Sequence, residues 1–422
     1  MTGRRLQKIQ ESQKELAAIH DFGSKLLQPS VIDLLKAYTS WQTALRRASN
    51  TSEHQRWEPD RAPLSINLDL TTACNYACDH CVDKEILNIE IRYDHGRLLN
   101  SLALMIDKGL RSVILIGGGE PTLYPRFEEV VQFLKARDVN VAIVTNGTGM
   151  KRIGRVAHLL DRHDWVRLSI DAGKESTFRA IHNPRNDRIT LDSVCRDTAE
   201  VKQAHPGLCI GYSFVVTWRG AFCNGTSIVE NIDEIEAAAR RAKSYLFDYI
   251  SLKPFLLRSP DNNAEIVGVD QSGDHFEEIM VRLAAGLASA GKHETDTFKV
   301  VESTNLHIFQ YCRHDAYSHQ PHTCHMQFFR QVLSPLGLFN CPVYRHVNKA
   351  RIGDRNAYAT EERFERTKRE TGRLIQDFDA SRECREVTCL YNPVNWMIEK
   401  LIEHPEKWDT LPALKERRDY FL

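Results

Sequence analysis

Three cysteines fall within eight residues in the stretch Cys74-Asn-Tyr-Ala-Cys78-Asp-His-Cys81, directly after the apolar run Ser65-Ile-Asn-Leu-Asp-Leu70. A loop this short can aim three sulfurs at one point. Thiolate-held iron–sulfur clusters normally take four cysteines, and no fourth lies nearby. Three sulfurs would fill three corners of a [4Fe–4S] cube and leave one iron without a protein ligand, and that open iron is where chemistry is expected. A four-ligand zinc site is the competing reading, and it too lacks a nearby fourth ligand.

A second group follows the next apolar run, 112–116. It reads Gly117-Gly118-Gly119-Glu120-Pro121-Thr122. Consecutive glycines permit positive φ and let backbone amides approach a ligand closely, and Glu120 offers a carboxylate suited to an ammonium group. Thr145-Asn146-Gly147 ends the third apolar run and Ser169-Ile-Asp171 the fourth. Each alone could be turn chemistry. Their shared position at strand ends is what makes them a candidate site. Of the eleven cysteines, Cys195, Cys209 and Cys223 are scattered and read as small apolar groups, while Cys312, Cys324, Cys341, Cys384 and Cys389 gather in the last quarter.

The elements that must position these residues are legible from periodicity. Strands are expected at 65–70, 112–116, 140–145, 165–170, 209–216 and 247–252. Helices are expected at about 94–108, 125–137, 151–161, 190–204 and 231–244. Near-continuous apolar strands alternating with helices imply a parallel sheet covered on both faces. Six units are too few to close an eight-fold barrel, so the fold class is α/β, a partial (β/α)6 barrel with its working loops at the C-terminal strand ends. Around it the expected organisation is a helical extension over 1–60 packed on the main domain, a core over 61–260, a covering helix and linker over 261–300, and a small domain over 301–422. The extension contains a helix at 31–45 and a linker at Asn50-Thr-Ser-Glu-His. The small domain contains a hairpin turning at Ser334-Pro-Leu-Gly337 and charged helices at about 359–375 and 395–418.

Composition narrows the partners. Lys plus Arg and Asp plus Glu each total 56 in 422 residues, so no global charge steers the chain to nucleic acid or an anionic membrane. No run reaches the roughly 18 apolar residues of a membrane span. The N-terminus shows no secretion signal, and an odd cysteine count then argues for metal ligation over disulfides. The expected location is the cytoplasm.

The chain resembles the radical SAM superfamily. Cys74-x3-Cys78-x2-Cys81 after the first strand is similar to that family's cluster motif, and Gly118-Gly119-Glu120-Pro121 after the second to its second motif, with the likeness covering about residues 62 to 255. The resemblance implies that Cys74, Cys78 and Cys81 hold a [4Fe–4S] cluster whose open iron chelates S-adenosylmethionine. His80 stands where the family usually has an aromatic residue near the adenine. Gly118, Gly119 and Glu120 would meet the methionyl ammonium, and Thr145, Asn146, Ser169 and Asp171 would complete the site, the last two near the ribose. Reductive cleavage to a 5′-deoxyadenosyl radical, fed by an external flavodoxin- or ferredoxin-type donor, is the implied activity.

The later cysteines resemble the family's auxiliary-cluster domains of the shorter twitch form. Cys324, Cys341, Cys384 and Cys389 would be the ligands of one auxiliary [4Fe–4S] cluster. The Gly337-x3-Cys341 spacing is one residue short, Cys384-x4-Cys389 is wide, and Cys312 is an alternative ligand. Relatives of this form act on aminocyclitol or aminosugar compounds, so a small polar substrate of that class, dehydrogenated or dehydrated in natural-product biosynthesis, is the expectation. A ribosomal-peptide maturase and a non-catalytic electron carrier are the rivals. Glu302, His307 and His325 are unranked candidates for proton transfer, and no catalytic base is assigned.

Overall fold

The computed structural model describes residues 21–47, 59–223, 225–258, 265–267, 275–311 and 314–422. The linker at Asn50–His54, the first 20 residues of the expected helical extension and Cys312 lie outside them.

The six expected strands are present as β1 (Ser65–Leu68), β2 (Ser112–Leu115), β3 (Asn140–Thr145), β4 (Trp165–Ser169), β5 (Cys209–Val216) and β6 (Tyr249–Pro254). Each pairs in parallel with the next. The last begins two residues later than its apolar pattern suggested. Helices fill the crossovers: α3 (His95–Asp107), α4 (Phe127–Lys135), α5 (Met150–Val156), α6 (Glu175–His182), α7 (Leu191–Ala204) and α8 (Ile235–Ser244). Of these, α6 was not expected. It is short and polar on most of its surface, and it buries only Thr177, Phe178, Ile181 and His182.

The sheet runs further than six strands. Strand β7 (Lys299–Glu302) adds in parallel beyond β6, and β8 (Arg330–Ser334) adds in parallel beside β1. The expected hairpin then returns through β9 (Gly337–Phe339) to β10 (Arg351–Gly353), both antiparallel. The order β7-β6-β5-β4-β3-β2-β1-β8-β9-β10 leaves the barrel open, because its two end strands do not meet. Helix α9 (His275–Gly291) covers α8 as expected, but a short hairpin of 256–258 with 265–267 precedes it.

Upstream lie α1 (Phe22–Leu27) and α2 (Ile32–Arg47); α10 (Thr304–Gln310), α11 (Glu361–Asp377) and α12 (Asn392–Glu403) complete the helices that matter here. The expected packing of the N-terminal helices on the main domain is corrected. Phe22, Leu26, Tyr38 and Trp41 share a core with Phe328, Phe329, Val394 and Ile398 of the C-terminal region. The expected helix at 395–418 is corrected too, since α12 stops at Glu403 and Pro405 opens a short 3-10 turn. Proline has no N–H for a helical ladder, so the break was written in the sequence. Beyond it the chain is extended and runs beneath the barrel, where Ser112 Oγ donates to Tyr420 O (2.7 Å) and Asn140 Nδ2 to Arg418 O (2.5 Å). Phe421 enters the lumen and packs on Ile114, Ala142 and Trp165. Among the described residues no helix is long and apolar enough to cross a membrane.

Candidate active site at the C-terminal strand ends

The cysteine loop leaves β1 and is tied down on three sides. Ala77 N donates to His182 O (3.1 Å) and Asp79 N to Ile181 O (3.2 Å), so the end of α6 carries the loop's middle. Cys74 N donates to Asn88 Oδ1 (3.0 Å), and Glu120 N to Ala73 O (2.8 Å). Tyr76 Oη and Asn75 reach the β3 end through Asn146 O and Asn146 Nδ2. The ends of β2 and β3 therefore lie against the cysteine loop.

The glycines explain the closeness. At Gly119 a Cβ would come within 2.2 Å of Ala73 O, and Gly118, at φ +68°, would place one 2.9 Å from Thr71 O. No other residue lets the two loops meet so tightly. Gly118 N donates to Asp83 Oδ2 (3.0 Å).

Glu120 is buried, and much of its carboxylate is already taken. Oε1 accepts from Thr122 N (3.1 Å), Thr122 Oγ1 (2.6 Å) and Thr145 Oγ1 (2.7 Å), while Oε2 accepts from Asn146 N (2.7 Å). A carboxylate has about four acceptor sites, so Oε2 keeps room for a further donor. Burial pushes the Glu120 carboxyl up, against these bonds.

Asp171, at φ +51°, is likewise engaged. Its Oδ1 accepts from Val215 N (2.7 Å), and its Oδ2 lies 3.3 Å from His80 Nε2 and 3.6 Å from His182 Nε2. Burial opposes ionisation, yet the His80 bond and the neighbouring charges hold its carboxyl below the ordinary range. His182 also places Nδ1 3.1 Å from Cys78 Sγ and Nε2 2.7 Å from Ile170 O. Burial pushes His182 down to about 4. Ser169 ends β4 beside Ser213 of β5, on the inside of the barrel.

The three thiols lie close enough that their charges oppose one another. Burial pushes Cys78 well up, and Cys81 and Cys74 add to the rise; burial, with the charges of Asp83 and Cys74 adding to it, pushes Cys81 up to about 12. Such a trio is stable as thiolates only around positive charge. Among the described residues no three His, Cys, Asp or Glu side chains converge closely enough for a single metal ion. Three cysteines with no fourth beside them in the loop are the donor set of a cluster with one open iron, whereas a structural zinc site takes four ligands.

A second set lies in the C-terminal region. Cys324, Cys341, Cys384 and Cys389 line one small cavity with Tyr344 and Asn395. The β8–β9 hairpin delivers Cys341, and Gly337 is required at its turn because a Cβ there would meet Gly353 O at 2.7 Å. Burial raises Cys384 well above the usual thiol range, with Cys389, Cys324 and Cys341 adding to it.

Several residues here escaped the sequence reading. His182 follows no motif. Arg345 and His346, just past Cys341, cross to the first site: Arg345 Nη1 donates to Asp83 Oδ2 (3.0 Å), Arg345 Nη2 lies 3.7 Å from Asp69 Oδ1, and His346 Nε2 lies 3.6 Å from Asp83 Oδ1. Burial pushes Asp69 up to about 7, with Arg345 working against it. Of the proton-transfer candidates, His325 is buried between Tyr38 Oη (2.9 Å) and Glu399 Oε2 (2.7 Å), while Glu302 and His307 lie 3.9 Å apart on β7 and α10.

Comparison with known proteins agrees with this geometry. Residues 68–212 match the family model described as the Radical SAM superfamily. Over 112 residues, 26% of this chain, the sequence is 30% identical to an S-adenosylmethionine-dependent nucleotide dehydratase of Thermoplasmatales archaeon (strain ISO4-H5). Over 126 residues, 28% of this chain, it is 36% identical to the mycofactocin maturase MftC of Mycobacterium tuberculosis. The chain spans 39% and 30% of the length of those two relatives. Its fold is similar to that of SuiB from Streptococcus suis bound to S-adenosylmethionine, with a TM-score of 0.50 at 14% identity over 79% of this chain and 76% of that one. The chain therefore carries, over residues 68–212, a domain of the radical SAM superfamily.

Proposed function

We propose that the chain is an enzyme that binds a [4Fe–4S] cluster through Cys74, Cys78 and Cys81 and uses S-adenosylmethionine to abstract hydrogen from a small polar substrate. The observation that carries this reading is the cysteine loop seated against Gly118 and Gly119 with no space for a Cβ between them. When bound, the cluster and S-adenosylmethionine supply a 5′-deoxyadenosyl radical. The protein's own part is placement. The backbone at Gly118 and Gly119 and the open side of Glu120 Oε2 receive the methionyl ammonium, His80 and Asp171 flank the nucleoside, and Thr145 and Asn146 hold Glu120 in position. Trp165 and Phe421 close the lumen from below, which keeps water from the radical's path. An external one-electron donor of the flavodoxin or ferredoxin type completes the scheme.

The cavity lined by Cys324, Cys341, Cys384 and Cys389 supports one auxiliary [4Fe–4S] cluster in the same reading. Four thiols that raise one another's pKa would there share a cationic core. A cluster held by these four cysteines would supply an electron acceptor, which favours dehydrogenation. Dehydration is the second reading, favoured by the likeness to a protein named a nucleotide dehydratase. The substrate class expected from the sequence, an aminosugar or aminocyclitol, stands beside a nucleotide or a peptide as the compounds to assay.

Anaerobic reconstitution tests this. The wild type should bind iron and sulfide for two clusters and release 5′-deoxyadenosine with reductant. The Cys74/Cys78/Cys81→Ala variant should keep one cluster and release none. A wild type that holds no iron through its first three cysteines would end the enzymatic reading.

A further inference from the structure

The inner face of the barrel is built in layers. The register sets Val144 beside Arg167, Arg167 beside Gly211, and Gly211 beside Tyr249. One layer up, Ser169, Ser213 and Ser251 stand side by side, and next Val215 stands beside Lys253. Residues two apart on a strand share a face. This is the luminal face, because Val166 and Leu168 between them join the core under the helices while Trp165 packs on Ile114, Ala142 and Phe421 inside.

Two cations on this face lack what buried cations normally have. Charges taken out of water are usually paired. Among the described residues neither Arg167 nor Lys253 makes an ion pair. Lys253 Nζ donates to Ser213 Oγ (3.1 Å), and the Arg167 guanidinium rests 5.2 Å over the Trp165 ring with its Nε buried and without an acceptor. Asp171 is the carboxylate whose field reaches both, but its oxygens serve Val215 N, His80 and His182. Burial pushes both pKa values down, Lys253 far below the usual lysine range, with the Arg167 charge adding to its fall. Both residues lie on the luminal face and are half-buried rather than sealed off. The wall beside them is tight: a Cβ on Gly211 would meet the Tyr249 ring at 2.1 Å.

A wall that holds an arginine fork, a lysine amine and serine hydroxyls, with no carboxylate bonded to either basic group among the described residues, is a seat for an anion. We propose that it binds a phosphoryl group of the substrate, a dianion held between Arg167 and Lys253 with Ser251 donating to a further oxygen. With an anion beside it Lys253 regains its proton, and two positive charges then match a dianion better than the single charge of a carboxylate, while a planar guanidinium engages two phosphate oxygens at once. The floor of Trp165 and Phe421 means the ligand enters from the cysteine loop. A strand rise of about 3.3 Å per residue sets the Arg167 backbone roughly 13 Å below Asp171, while Lys253, level with Asp171 in the register, turns its amine down to Ser213 Oγ one layer below. The phosphoryl group is thus the deep end of the substrate, and the carbon that reacts stays near the cysteines. This assignment rests on the proposed enzymatic reading for its meaning, but not for its test.

The anaerobically reconstituted full chain is titrated with inorganic phosphate, pyrophosphate and acetate, followed by phosphorus NMR and calorimetry. Saturable phosphate binding is expected, weakened about ten-fold or more in Arg167→Met and Lys253→Met, with S-adenosylmethionine binding unchanged. Without phosphate these variants should melt at or above the wild-type temperature, because a buried polar group without a counter-ion has been replaced by an apolar one. Ser251→Ala gives a milder version of the same loss should either variant fold poorly. Absent phosphate binding, equal binding by the variants, or acetate binding as tight as phosphate overturns the assignment. So does a parallel loss of S-adenosylmethionine affinity, which would give these cations to the cosubstrate's own carboxylate. If phosphate binds through Arg167 and no 5′-deoxyadenosine ever forms, the enzymatic reading fails and the anion seat stands.

Discussion

At Gly119 a single methyl group has nowhere to go. Its Cβ would sit 2.2 Å from Ala73 O, which is backbone and cannot rotate aside. Gly119→Ala should therefore push the cysteine loop off the β2 end while leaving the core of the barrel intact. Iron content after reconstitution is expected to fall by about one cluster, with the far-ultraviolet dichroism of the wild type retained; full iron loading would show that the two loops can separate freely. At this scale the sequence was legible wherever residues came as a motif. The three cysteines and the glycine run announce themselves by type and spacing. Glu120 was legible as a carboxylate at the site but not as an acceptor for Thr122, Thr145 and Asn146, since no local pattern says where a strand-end side chain turns. His182, Arg167 and Lys253 were silent for a plainer reason. A lone polar residue has no period, and only the fold places it beside a sulfur or inside a lumen.

Among the elements, α4 and α5 are clasped together beneath the glycine loop. Arg152 Nε donates to Glu128 Oε1 (2.9 Å), and its Nη1 donates to Thr122 O (2.6 Å) and Tyr124 O (2.8 Å), so one guanidinium joins both helices to the segment after Glu120. The hydrogen bond from Arg152, with burial opposing and Arg155 helping, holds the Glu128 carboxyl down at about 2. A carboxyl lowered on folding stabilises the protein above its unfolded pKa of about 4.3, and that contribution fades as pH falls towards 2. Glu128→Gln is expected to lower the urea midpoint at pH 7 and to flatten its decline between about pH 4.5 and 2. The cluster-free chain suits this measurement, since acid then strips no iron. A decline as steep as that of the wild type would mean that the clasp carries no acid sensitivity. The strands β1 to β6 could be read as apolar runs between turn signals. Strand β8 could not, because its parallel partner β1 is remote in sequence and a hairpin arm looks the same whether or not its outer edge is paired.

Across the whole molecule, the C-terminal region and the cysteine loop are joined by buried charge. Arg345 is nearly inaccessible and bridges Asp83 and Asp69, and Asp83 in turn accepts from Gly118 N. Removing one member of a buried pair leaves the other charge without compensation, at a cost of about 3–5 kcal/mol. Arg345→Met should be destabilising on that scale in chemical denaturation, and adding Asp83→Asn should restore a large part of the loss. Strictly additive effects would show that the two side chains do not interact.

The pairing of Ser65 with Arg330 has a further consequence, during synthesis. A ribosome adding about 5–20 residues per second needs roughly 13 to 50 s to pass from β1 to β8. Throughout that interval one flank of the first strand has only solvent, or another nascent chain, to bond with. An open strand flank invites association with other chains. How much native protein a cell recovers should then depend on how well that flank is sheltered by chaperones while translation proceeds, and less on how firmly the completed sheet holds together.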